Sequence, residues 1–279
     1  MDKKLIKKEL LESFSWAYRN KRTGKRRAVW KTVLLLCLYA LCFAWLMFTF
    51  YRMGRQLCFS LQEQDLEWLF FVLMGLLSMQ VVGLTNAFHA YAALRRLHGE
   101  TALPEGPKAI CGMLWAKFAG TYIMGLFYSL VFMIPGVIVH LQFTDPTLPG
   151  FIFTLFVPIL LGLLSLVESI VIAWLVSIVS RRIHNKNLLT VIAGIGLAVC
   201  YYVLYDKSQD IFAAVLNNAK DVAYWTERLA YPFYRMGLAA QGDPLSMLVF
   251  VATVAIVMIL SVILLWVSYR SHVLKRKAV

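Results

Sequence analysis

Apolar residues run through this chain in long blocks separated by short polar punctuation. The blocks fall near residues 29–51, 67–93, 109–139, 151–180, 188–205 and 245–269. Each approaches or exceeds the ~20 residues that a helix needs to cross ~30 Å of hydrocarbon. The pattern predicts an all-α integral membrane fold of about six transmembrane helices occupying residues 29–279, preceded by a separate segment, 1–28. The third and fourth blocks are longer than a straight crossing requires, and they contain Pro135 in "MIPGV" and Pro158 in "FVPIL". A proline removes a backbone hydrogen bond, so each of these helices is expected to kink or to end early.

The polar punctuation has structure of its own. In residues 1–28, Ile6, Leu10, Leu11, Phe14, Ala17 and Tyr18 share one face at helical spacing, while Lys8, Glu9, Glu12 and Arg19 lie elsewhere. That distribution predicts an amphipathic helix on the membrane surface. No continuous apolar core or small-residue cleavage site marks the segment as a signal peptide. Between the last two blocks, Ile211, Val215, Ala219, Val222 and Trp225 recur at three- and four-residue spacing. They predict an extracellular helical excursion between spans five and six, lying on the leaflet or plugging the bundle and ended by Pro232. A connection of this length usually has a task. The segment "LRRLHGETALPEGPKAICGMLWAKFAG" joins the second and third blocks, and Pro104 and Pro107 there predict an elbow at the membrane face.

Composition agrees with the pattern: 60% of residues are apolar and only 15% charged, outside the range of soluble domains. Charge then gives orientation, because short cytoplasmic segments retain Lys and Arg during insertion. One side collects ten Lys and Arg in residues 1–28, then Lys31, Arg95, Arg96, Lys108, Arg181, Arg182, Lys186, Arg270, Lys275, Arg276 and Lys277. The other side holds Arg52, Arg55, Lys207, Lys220, Arg228 and Arg235, with nine of the fifteen acids. The expectation is a multi-pass protein of the cell membrane, bacterial in style, with both termini cytoplasmic. The net charge of +13 reads as a topology signal and an attraction to anionic lipid, not as a nucleic-acid footprint.

Candidate chemistry is sparse. Cys37, Cys42, Cys58, Cys111 and Cys200 have no metal-ligand spacing, and Cys58 alone falls on the expected outer face. There is no phosphate loop, HExxH helix or GxSxG elbow, and His89, His98, His140, His184 and His272 are scattered. An intramembrane protease or lipid-modifying enzyme would have to be assembled from Glu168, His89 and Asn86. No catalytic residue, metal or cofactor is expected.

Glu168, in "LLSLVESIVIAW", is the carboxylate expected near the middle of a span. A charge there costs about 2.5–3.5 kcal/mol on insertion scales, so it should face protein or a water-filled cavity, or be protonated. Asn86 and His89 in the second span are its candidate partners. It reads either as a cavity-lining or coupling residue, or as a packing acid bonded to a neighbouring Ser or Tyr. Lys117, two turns inside the third span, reads as a snorkelling anchor or as a contact to the polar elbow.

The elbow resembles the first cytoplasmic loop of the membrane subunits of type 2 exporter ABC transporters, in the bacterial form encoded apart from its ATPase. There a leucine-rich turn, a proline and a lysine opening the third span follow one another, as Leu97, Leu103, Pro104 and Lys117 do here. Glu100, Thr101, Ala102 and Leu103 stand where the family has an acid followed directly by leucines. The resemblance extends to the surface helix, the basic "SRRIHNKNLLT" and the outer "YPFYRMGLAAQGDP".

The resemblance implies a permease in which two such subunits, identical or homologous, face each other above two separate ATPase domains. It implies that the elbow couples to the ATPase, with Arg95, Arg96, Leu97, Glu100, Leu103, Pro104, Glu105 and Pro107 at or near the contact. Membrane lipids are the remaining expected partners. An accessory or scaffolding membrane protein without transport activity is the alternative. Lipid-like, peptide or drug-like cargo fits such apolar spans, and a polysaccharide path built from Tyr122, Tyr128 and Trp174 would look the same.

Overall fold

A computed structural model describes residues 27–99, 107–182 and 206–277, with isolated positions between 195 and 203. Four long helices come first: α1 (Val29–Gln62), α2 (Glu67–Gly99), α3 (Pro107–Phe143) and α4 (Leu148–Arg182). Three short helices follow, α5 (Ser208–Asn217), α6 (Ala219–Leu229) and α7 (Tyr231–Gln241), and then the long α8 (Pro244–Lys277). Five of these helices are long and apolar enough to cross a membrane: α1, α2, α3, α4 and α8. The surface helix expected within residues 1–28 and the span expected at 188–205 fall largely or wholly outside the described residues.

Short, well-capped turns make neighbours antiparallel. At the end of α1, Leu66 N–H donates to Leu61 O at 3.0 Å and Asp65 N–H to Gln62 O at 3.1 Å, with Asp65 in the left-handed region at φ 57°. This paired closure satisfies the carbonyls that a helix end leaves bare. Gly242, at φ 111°, ends α7 in the same way, with Asp243 N–H donating to Leu238 O at 3.2 Å. Asp243 then opens α8, its carboxylate accepting from the N–H groups of Leu245 and Ser246 at 3.3 and 3.2 Å.

Neither in-span proline ends its helix: α3 continues past Pro135 to Phe143, and α4 continues past Pro158 to Arg182. Across the contact of these two helices, the Ser129 hydroxyl on α3 donates to Pro158 O on α4 at 2.9 Å. The expected outer helix is also corrected. It is broken at Asn218 and Ala230 into three pieces, and Pro232 lies in the first turn of α7, where its missing N–H is harmless. Within the expected stripe, Ala219 is buried but Trp225 is exposed, while Ala223 and Thr226 are buried instead.

The core is two apolar clusters. The larger joins the last third of α1, the first half of α2, the second half of α3, the first half of α4, and α6, α7 and the start of α8; Phe70, Phe71, Met133, Leu161, Met236 and Phe250 are its large members. Cys58 is fully buried within it. The smaller cluster gathers Ala90, Ala93, Leu94, Phe118, Leu166, Ile170, Ala173 and Leu265. Close backbone approach docks α7: a Cβ on Gly237 would stand 2.6 Å from Trp68 O of α2 and 2.8 Å from Val72 Cγ2. Gly150 of α4 likewise backs onto Ala240 O and Gly242 N, at 2.7 and 2.9 Å for an added Cβ.

Candidate functional site

A band of polar side chains crosses the helix bundle where α2, α3 and α4 meet, beside the smaller apolar cluster. Gly83 and Asn86 face it from α2, Thr121, Gly125 and Ser129 from α3, and Ser165, Glu168 and Ser169 from α4. Asn86, Thr121, Ser129, Ser165 and Ser169 are all buried, and Glu168 is half-buried. On each helix these positions recur at three- or four-residue spacing, so each helix turns one narrow polar edge toward the other two.

Small residues set the distances. A Cβ on Gly83 would overlap the Glu168 carboxyl group, so the absence of a side chain on α2 gives that carboxyl its place. Gly125 does the same for Asn86, whose Nδ2 would lie 2.8 Å from an added Cβ. Asn86 Nδ2 donates to Thr121 O at 2.7 Å, which ties α2 to α3. The Ser169 hydroxyl lies 2.6 Å from Ser165 O and 3.0 Å from Gly83 O, and it shares one proton between a local and an interhelical carbonyl.

These bonds leave acceptors unused. Glu168 Oε2, Asn86 Oδ1 and Ser165 Oγ are buried without a hydrogen-bond partner among the described residues. Buried polar atoms in native proteins are ordinarily bonded, so a concentration of unsatisfied oxygens calls for a donor. Such a band can take up water, a cation or the donor groups of a passing molecule. No group of three or more His, Cys, Asp or Glu suited to a metal ion occurs among the described residues.

The sequence-expected residues are only partly brought together. Glu168 and Asn86 share the band, but the group on α2 that receives Glu168 is Gly83. The Ser169 hydroxyl is spent on two carbonyls, whereas Ser165 Oγ and Glu168 Oε2 are both left without a partner among the described residues. His89 lies one turn along α2 from Asn86 and is half-buried. Lys117 lies on α3, one residue before the buried Phe118, and its side chain is outside the described residues. Of the elbow, Arg95, Arg96 and Leu97 continue α2 as backbone and Pro107 opens α3. Glu100, Leu103, Pro104 and Glu105 lie outside the described residues.

The three aromatics do not line one path. Tyr122 and Trp174 pack on the smaller apolar cluster, whereas Tyr128 lies 6.0 Å from Phe43 of α1, ring to ring. Sequence reading missed Gly83, Gly125, Ser165 and Ser169, although small residues at helical spacing inside spans are the expected signature of close helix contact.

A second polar group stands at the α7–α8 junction. Arg235 Nε donates to Tyr231 OH at 2.7 Å and Nη1 to Ser246 Oγ at 3.2 Å, and the guanidinium lies 3.9 Å from Asp243 Oδ2. Ser246 Oγ also donates to Asp243 Oδ2. The Ser246 hydroxyl first, then the backbone N–H groups and Arg235, hold the Asp243 carboxyl below the usual carboxylate range. This group fastens two helix ends and has the character of a clamp. Comparison with protein families, curated proteins and solved structures finds no match to this chain.

Proposed function

We propose that this chain is a membrane-spanning permease subunit of an ABC exporter, driven by ATP hydrolysed on a separate cytoplasmic partner. The observation that carries the reading is the reach of α2 and α3. With 33 and 37 residues they extend about 50 and 55 Å, well beyond the ~30 Å of hydrocarbon. They are joined through residues 100–106, and the basic residues Arg95, Arg96 and Lys108 lie at the joined ends. Two stiff helices with a short link at their tips form a lever on which a soluble motor can push.

In this reading both termini and the α2–α3 elbow are cytoplasmic, and α5, α6 and α7 form the outer excursion. The band around Glu168 then lies between the lever and the outer part of the bundle. Push on the elbow is transmitted along α2 and α3, the two helices that Asn86 and Thr121 tie together. A second permease copy completes the pathway.

The test is purification with native companions, followed by replacement of Leu103 and Pro104 with glycine. The expected result is a co-purifying ATPase whose activity loses its dependence on the permease in the variant, while membrane insertion is unchanged. Absence of any ATP-hydrolysing companion, or an elbow labelled from outside intact cells, overturns the proposal.

A further inference from the structure

Where α1 leaves its apolar stretch, two arginines stand beside a cavity of about 470 Å³ lined by Tyr51, Arg52, Arg55, Gln56, Phe59 and Phe143. Trp30 to Tyr51 spans about 32 Å of helix, close to one hydrocarbon thickness, so the cavity sits at the polar boundary of the bilayer. Tyr51 OH donates to Gln142 Oε1 at 3.0 Å and Gln62 Nε2 donates to Phe143 O at 3.1 Å, which fixes α1 against the end of α3 and shapes the cavity wall. The Arg55 guanidinium lies 5.9 Å from the centroid of the Phe143 ring. Neither arginine has a carboxylate partner within ion-pair distance among the described residues.

Arg52 and Arg55 are one turn apart on the same face, and that face continues below them. Leu41, Trp45, Phe48, Arg52, Arg55 and Phe59 follow one another at intervals of three and four residues, so they form a single stripe along α1. The apolar members are exposed: Leu41 by 67%, Trp45 by 71% and Phe48 by 55%. An apolar track about 16 Å long therefore ends in two guanidinium groups and an aromatic-walled cavity.

We propose that this stripe binds one phospholipid molecule, with its phosphate on Arg52 and Arg55 and an acyl chain along Phe48, Trp45 and Leu41. Guanidinium groups suit phosphate because their N–H forks match its oxygens. The track supplies the part of the ligand that a free anion lacks, which is why the occupant is a lipid and not inorganic phosphate. The inference rests on the membrane-spanning character of α1 and is independent of the exporter reading.

The test is native mass spectrometry of the purified full chain in dodecyl maltoside, incubated with phosphatidylglycerol. Wild type is expected to retain one lipid. The R52Q/R55Q double variant should lose roughly tenfold of that retention, with each single variant showing part of the loss. Lys220→Gln, another exposed cation, should retain lipid like wild type, and inorganic phosphate should not displace it. Both arginines are exposed, and the single variants carry the test should the double variant fail to fold. Equal retention by the arginine variants and wild type overturns the proposal. So does an equal loss in Lys220→Gln, which marks diffuse charge attraction, or displacement by inorganic phosphate, which marks a soluble-anion site.

Discussion

Gly83 on α2 leaves the space that the Glu168 carboxyl on α4 fills, since a Cβ at Gly83 would stand 2.5 Å from Glu168 Cδ. The glycine and the acid are one device, and each is tested through the other. Gly83→Ala should push the flexible Glu168 side chain aside and leave the helix pair in place, because the atoms met are side-chain atoms. In the exporter reading, Gly83→Ala and Glu168→Gln should each alter the permease-dependent ATPase rate in proteoliposomes without altering assembly, and the double variant should be no worse than the stronger single one. Additive losses would separate the two residues, and unchanged rates would show that Glu168 takes no part in coupling.

Gly237→Ala presents the opposite case, because the obstacle is the Trp68 carbonyl, which cannot rotate away. Overpacking of this kind costs about 1–3 kcal/mol. The thermal midpoint in detergent should fall, and α7 should become open to protease. Gly112 is the control: nothing among the described residues lies within 4 Å of an added Cβ. Gly112→Ala should raise the midpoint slightly, by about 0.5–1 kcal/mol of helix preference. Similar behaviour of the two variants would refute the close docking of α7 on α2.

Ser129→Ala removes the donor that reaches Pro158 O across the α3–α4 contact. A net loss of about 0.5–1.5 kcal/mol is expected. Ser129→Thr, which keeps the hydroxyl, should recover part of it, as read from the thermal midpoint. Equal loss in both variants would assign the effect to packing alone.

The carboxyl of Asp243 is held below its ordinary range, so its ionised form favours the folded state. That contribution is complete above the unfolded value of about 3.9 and is lost as pH falls through the lower folded value. Asp243→Asn should therefore melt below wild type at pH 7, and the gap should close only in strong acid. A gap that stays constant from pH 7 into strong acid would show that Asp243 does not act through its charge.

Long apolar blocks made the spanning helices legible, since a continuous apolar run of this length satisfies its own backbone groups away from water as a helix. Their ends were less legible. The α1 helix continues through Arg52 and Arg55 to Gln62, because residues such as Leu57, Cys58 and Leu61 find cover on α2 and α3, and the sequence of α1 alone cannot display that cover. Glu168 and Asn86 were visible as polar residues among apolar ones. Gly83 was not, because a glycine announces a neighbour's bulk only once the neighbour is known. Pro232 was misread as a stop because a proline looks the same at the end of one helix and in the first turn of the next.

The attachment of α1 is uneven along its length. All its buried residues, Gly54, Leu57, Cys58 and Leu61, lie in the last third. Nearer its start, α1 meets α3 through aromatic edges such as Phe43 against Phe127, at 5.2 Å between ring centroids. Such a contact is worth about 0.5–1.5 kcal/mol beyond its area. The helix is thus anchored at its capped end and lightly stapled along the rest, so the flank of α3 beneath Phe43 is covered by edges of rings and not by a packed core.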